Sequence, residues 1–117
     1  GIVFHPSGYL LVTGGATLYK MPIGNPAAVT EVKLPLELLG QDGMLWTADG
    51  RLAVVSNSQN RVVGLKSSDD WATAQMDGEA KFLIQGTTAA AVGNDLYVVH
   101  PHFADADPPS VERLALP

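Results

Sequence analysis

The sequence predicts an all-β fold of propeller blades, three four-stranded antiparallel units that amount to half of a six-bladed ring. One template recurs three times, as HPSGYLLVT, TADGRLAVVSN and AVGNDLYVVHP: a turn rich in Gly, Asp, Asn or Ser, then a short β-branched and aliphatic run. Aligning Gly8, Gly50 and Asn94 on that turn gives separations of 42 and 44 residues, close to the roughly 40–50 residues of a four-stranded blade. Helical periodicity of any length is missing, and the ambiguous LPLELLG is short enough to be a loop or a single turn. A small β-sandwich with hairpins spaced by chance is the rival architecture.

Each unit reads as strands A, B, C and D, with approximate blades at 1–36, 37–84 and 85–117. The A strands are the short apolar runs Gly1–Phe4, Asp42–Thr47 and Thr87–Val92, and the B strands are the runs after each turn. Outer strands follow as ATLYKMPI with AVTEVKLP, RVVGLKS with WATAQMD, and SVERLALP. Breakers at Gly14-Gly15, Gly24-Asn25-Pro26, Ser67 to Asp70 and Pro108-Pro109 fall between strands, where turn chemistry belongs. Phe4, Leu11, Leu45, Trp46, Val54, Leu96 and Val98 are assigned to packing between blades, and Trp71 to anchoring an outer strand. The third unit stops after its C strand, so one outer strand is unaccounted for.

Composition narrows the function classes. A hydrophobic fraction of 46% over 117 residues suits one packed domain. No apolar run reaches the roughly 18 residues that span a bilayer, and GIVFHPSGYLLV has no basic segment leading into an apolar one, so neither membrane span nor signal peptide is expected. With no cysteine, disulfides, thiolate nucleophiles and zinc-thiolate sites are excluded together. A net charge of −5, with seven basic residues scattered singly, offers no footprint for nucleic acid. There is no G-x-S-x-G elbow, and Gly14-Gly15 joins two strands without opening a helix, which leaves no nucleophile elbow and no phosphate loop.

Three blades raise a question of closure. Propellers of typically four to eight blades close into a ring, and an open arc leaves both flanking faces in water. Two solutions follow: two copies pair by a two-fold contact into a six-bladed ring, a homodimer, or the chain completes a longer propeller whose N-terminal half is missing here.

The stretch DGMLWTADGRLAVVSNSQNRVVGL resembles a blade of the senescence marker protein/gluconolactonase family, the calcium-binding six-bladed propellers that include regucalcin. GIVFHPSGYLLV followed by LYKMPIG resembles the preceding blade of bacterial and plant relatives. The likeness covers all three blades, about half of a family member. It implies that Asp42, in the DGM opening, is a metal ligand near the central tunnel and a general base. It also implies calcium, or another divalent cation, as cofactor and a small sugar lactone as ligand. The family's asparagine ligand would precede Gly1, and its glutamate ligand has no counterpart here, so the implied metal site is incomplete within one chain.

The strand reading sorts polar residues independently. In a four-stranded antiparallel blade the loops entering A and joining B to C share one rim, and the A–B and C–D turns share the other. Asp42, Thr87 and Thr88 enter A strands, and Asn57, His100 and His102 follow B strands, so one rim collects them; Asn57, Thr87, His100 and His102 are the candidate substrate contacts. His5 and Asp49 fall on the opposite rim. Bland roles compete at each position: Asp42-Gly43 as a turn, Asn57 as a cap of SNSQN, and His100 with His102 as a solvent-facing or carbonyl-bonded pair. The i, i+2 spacing of those histidines also suits a transition metal, and Asp105 and Asp107 in DADPP are oxygen donors without the pattern of a calcium loop. Two functions remain: a half-propeller serving as a ligand-binding or assembly module, or a calcium-dependent lactonase-like hydrolase in which the cation polarises a carbonyl and Asp42 activates water.

Overall fold

A computed structural model describes all of residues 1–117. Eleven strands form three small antiparallel sheets, each open at both edges. The first runs in chain order through β1 (Ile2–His5), β2 (Tyr9–Gly14), β3 (Thr17–Pro22) and β4 (Thr30–Val32). The second does the same with β5 (Gln41–Trp46), β6 (Leu52–Ser56), β7 (Arg61–Lys66) and β8 (Gln75–Lys81). The third holds β9 (Ala89–Val92), β10 (Asp95–His100) and β11 (Ser110–Ala115). The first strands of the three sheets, β1, β5 and β9, lie side by side. LPLELLG forms no helix and crosses between the first two sheets with Leu38 buried. No helix is long and apolar enough to cross a membrane.

The alternation of side chains explains where the core sits. Leu52 and Val54 of β6 face one way, with Val63 and Leu65 of β7, and meet Tyr9, Leu11, Leu18 and Val32 of the first sheet. Ala53, Val55 and Val62 face the other way and meet Leu96 and Val98 of the third sheet with Phe82 and Leu116. Hence all of β6 is buried, and its sequence LAVVS shows no polar alternation because both of its faces are covered.

The outer two sheets are covered on one face only. On the first, the register pairs Ile2 with Val12, Phe4 with Leu10, Val12 with Tyr19 and Leu10 with Met21, an apolar set turned away from the core. On the third, Tyr97 pairs with Ala90 and Arg113, and Val99 with Val111, on the corresponding face. Phe4 is therefore not packed between sheets as its sequence suggested: it is 55% exposed, because Val3 and His5 take the core side of β1 and Phe4 the other. Trp46 does pack against the first core, where Trp71 meets its edge at 5.7 Å.

Polar contacts fasten the sheets to one another. The Tyr9 hydroxyl donates to Asp70 Oδ1 at 2.7 Å, and Lys20 pairs with the same carboxylate at 3.1 Å. Burial and that carboxylate hold the Tyr9 hydroxyl far above its ordinary titration range. Arg51, itself buried, donates to the main-chain oxygens of Asp77, Leu116 and Pro117, which ties β8 and the segment after β11 to the start of β6.

Candidate functional site

The site is built on a break in strand pairing. Gln41 pairs with Ser56 and Met44 with Val54, so β5 carries one residue more than β6 between those points, a β-bulge at Asp42-Gly43. Asp77-Gly78 makes the equivalent irregularity in β8, while Asp49-Gly50 is a true turn. The local chemistry of Asp-Gly permits both outcomes, and the partner strand decides between them. At the bulge the Asp42 carboxylate, half-buried, accepts a hydrogen bond from Asn57 Nδ2 at 3.1 Å. The Gly43 N–H donates to the Thr87 carbonyl at 2.9 Å, and Gly43 presses on Thr88.

Asp42, Asn57, Thr87 and Thr88 thus gather at one end of the sheets, where chain direction puts the start of β5 and β9 and the end of β6. Chemically this is a carboxylate beside a carboxamide, two oxygen-bearing groups for a hard cation or for a hydroxyl-rich ligand. Two side chains supply a minority of the six to eight oxygens that calcium takes, and water, main-chain carbonyls or donors from another blade would complete such a site.

The two histidines separate. His100 is only 2% exposed; its Nε2 lies 2.7 Å from Glu112 Oε2, its Nδ1 lies 3.3 Å from the Gln85 carbonyl, and Phe82 packs on its ring. It is a packed side chain out of reach of a ligand at the rim. His102 takes a left-handed backbone conformation, φ +56°, which removes the shared direction that i, i+2 spacing gives in an extended segment. Its imidazole turns instead to the acids that follow, with Nδ1 at 3.0 and 3.1 Å from the two Asp105 oxygens and Nε2 at 3.0 Å from Ser110 Oγ. The Asp107 N–H donates to Asp105 Oδ1 at 2.9 Å. That bond and His102 hold the Asp105 carboxyl below its usual range. In sequence, His102 and the DADPP acids stand as separate candidates. Their grouping was signalled only by one histidine and two aspartates within six residues of a proline-bracketed loop.

Hydroxyl, imidazole and carboxylate here follow the order of a nucleophilic triad. Ser110 nevertheless borders none of the clefts in the surface, so the arrangement lacks a place for an acyl group. At the opposite end of the sheets, a shallow cleft of about 300 Å³ is lined by Phe4, His5, Pro6, Trp46 and Gly50. His5 stacks on Tyr9 there at 4.4 Å, and Trp46 Nε1 donates to the Phe4 carbonyl at 2.8 Å, so its aromatic groups are held by the chain itself. Asp49 lies at this end as well, bonded to Arg51 and Thr47.

No protein-family model matches this chain, and no curated protein matches it.

Proposed function

We propose that the chain is a ring-completing module: a three-bladed arc that pairs with a second copy into a six-bladed propeller, whose rim then serves as a ligand-binding or assembly surface. The observation that carries this reading is the contrast between sheets. The middle one is covered on both faces, while each outer one keeps a largely apolar face in water, formed by Ile2, Phe4, Leu10 and Val12 on one side and by Val92, Val99 and Val111 around the Arg113–Asp95 ion pair on the other. An antiparallel sheet can leave one face in water when that face is polar, whereas contiguous exposed apolar area marks an interaction surface. A two-fold axis satisfies both faces at once, because the first sheet of each copy covers the third sheet of the other.

Ring closure also brings two copies of the Asp42–Asn57 pair towards a common axis. That supports a second reading, a calcium-dependent lactonase-like hydrolase of the senescence marker protein/gluconolactonase type with Asp42 as ligand and general base. It rests on the first reading, in which the ring places further oxygens around the axis.

Light scattering on a sizing column over a range of concentrations tests the arc. A dimer that persists on dilution is the expected result. A folded monomer at every concentration overturns pairing with a second copy and leaves further blades of a longer chain as the cover.

A further inference from the structure

We infer that His102, Asp105 and Asp107 bind a divalent transition-metal ion, zinc or a close substitute, in the loop between β10 and β11. One ligand atom from each residue lies within 4.8 Å of the other two. His102 Nδ1 and Asp105 Oδ1 already face one another at 3.0 Å. Two ligands bonded to one ion at about 2.1 Å in tetrahedral geometry stand about 3.4 Å apart, so an ion that replaces the shared proton needs the pair to open by only a few tenths of an ångström.

The remaining contacts are those a metal-bound imidazole needs. Its other nitrogen faces Ser110 Oγ, and a serine hydroxyl either donates or accepts. When the ion takes Nδ1, the Nε2–H donates to Ser110, which fixes the tautomer and the ring orientation as outer partners of ligating histidines do. The imidazole is 5% exposed, so it is already held in place. The Asp107 N–H donates to Asp105 Oδ1, and His102 Nδ1 lies against both Asp105 oxygens, so the carboxylate is held facing the imidazole. The Asp107 carboxylate accepts none of the chain's hydrogen bonds and is free to turn onto an ion.

The donor set selects the metal class. One nitrogen with two carboxylates suits zinc, manganese or cobalt, whereas calcium prefers an all-oxygen shell of higher coordination number. Three protein ligands leave a fourth position for water, the open arrangement of catalytic zinc sites. The three residues belong to one loop, so the site does not depend on ring closure and is distinct from the Asp42–Asn57 pair.

Calorimetric titration with zinc chloride, alongside melting curves with zinc, manganese, cobalt and calcium, tests the assignment on the full chain and on three variants. The expected result is one zinc per chain, a melting temperature raised by zinc more than by calcium, and a visible cobalt spectrum that zinc displaces. Asp107→Asn keeps the metal-free melting temperature, because its carboxylate supports no bond, and weakens zinc at least tenfold; His102→Gln abolishes binding. Asp42→Asn leaves the zinc affinity unchanged. Equal zinc affinity in Asp107→Asn and the parent chain, loss of binding in Asp42→Asn, or no response to any of the three transition metals overturns the site.

Discussion

A Cβ added at Gly43 would lie 2.6 Å from Thr88 Cα and 2.7 Å from Thr88 Cβ, well inside van der Waals contact. Glycine is what lets the bulge of β5 approach the segment entering β9, and that approach aims the neighbouring Asp42 at Asn57. Gly43→Ala therefore separates β5 from Thr88 and costs about 1–3 kcal/mol, the range for forcing an extra carbon into a packed site. Urea unfolding checks the magnitude, and a backbone amide spectrum checks the place, since the largest shifts are expected at Asp42, Asn57, Thr87 and Thr88. At this scale the sequence was only partly legible. Placing Asp42 and Asn57 at one end needed strand direction alone, and the two side chains do meet. The bulge was not readable, because an extra residue is defined against a partner strand whose register a single sequence does not print. Nor was the parting of His100 from His102, which turns on one backbone angle.

Turns and strands differ in how openly they declare themselves. Alternation and breakers located the strands because apolar side chains and turn residues act locally: β2, β6 and β10 coincide with the three repeated runs, and Gly14-Gly15 and Asn25-Pro26 interrupt the chain where it reverses. The full burial of β6 was harder to read, since LAVVS is equally compatible with a core strand of any sheet. The polar turns add a pH dependence that follows from their wiring. Arg51 and Thr47 bond the Asp49 carboxylate and lower its pKa from 3.8 to about 2. Thr73 and Ser67 do the same for Asp69, also from 3.8 to about 2. A carboxyl whose folded pKa lies below its unfolded one adds stability that is complete above the unfolded value and fades as pH falls through the folded one. The chain should thus lose stability between about pH 4 and pH 2 as these two groups take up protons. Asp49→Asn removes one of them, and its melting temperature should fall less steeply across that window than the parent's. Parallel slopes would show that Arg51 does not discriminate between the charged and neutral side chain.

Across the whole molecule the three sheets spread over 45 × 26 × 23 Å, an extended arrangement with its two apolar faces at opposite ends of the series. The regular spacing of three turns foretold three sheets, since each repeat is a local unit. The proposed cover of the outer faces lies beyond any local pattern, because it depends on a surface outside this chain's own fold. Phe4 and Val92 offer a direct test of the proposed two-fold ring. Each lies on the first strand of its sheet, towards the turn into the next strand, and each faces outwards, 55% and 69% exposed. In a ring of two copies, Phe4 of one meets the level of Val92 in the other at both junctions. Phe4→Glu places a charge in each junction, and so does Val92→Lys, so either variant alone should remain folded but run as a monomer. Neither change touches the two cores, so circular dichroism and melting temperature of the monomer should report intact sheets. Mixed in equal amounts, the two variants form one junction with the parent residues and one with Glu opposite Lys. A mixed dimer should appear on the sizing column, and 1 M salt should weaken it by screening the new pair. If the mixture stays monomeric while the parent chain is a dimer, the copies pair through some other surface and the ring is excluded.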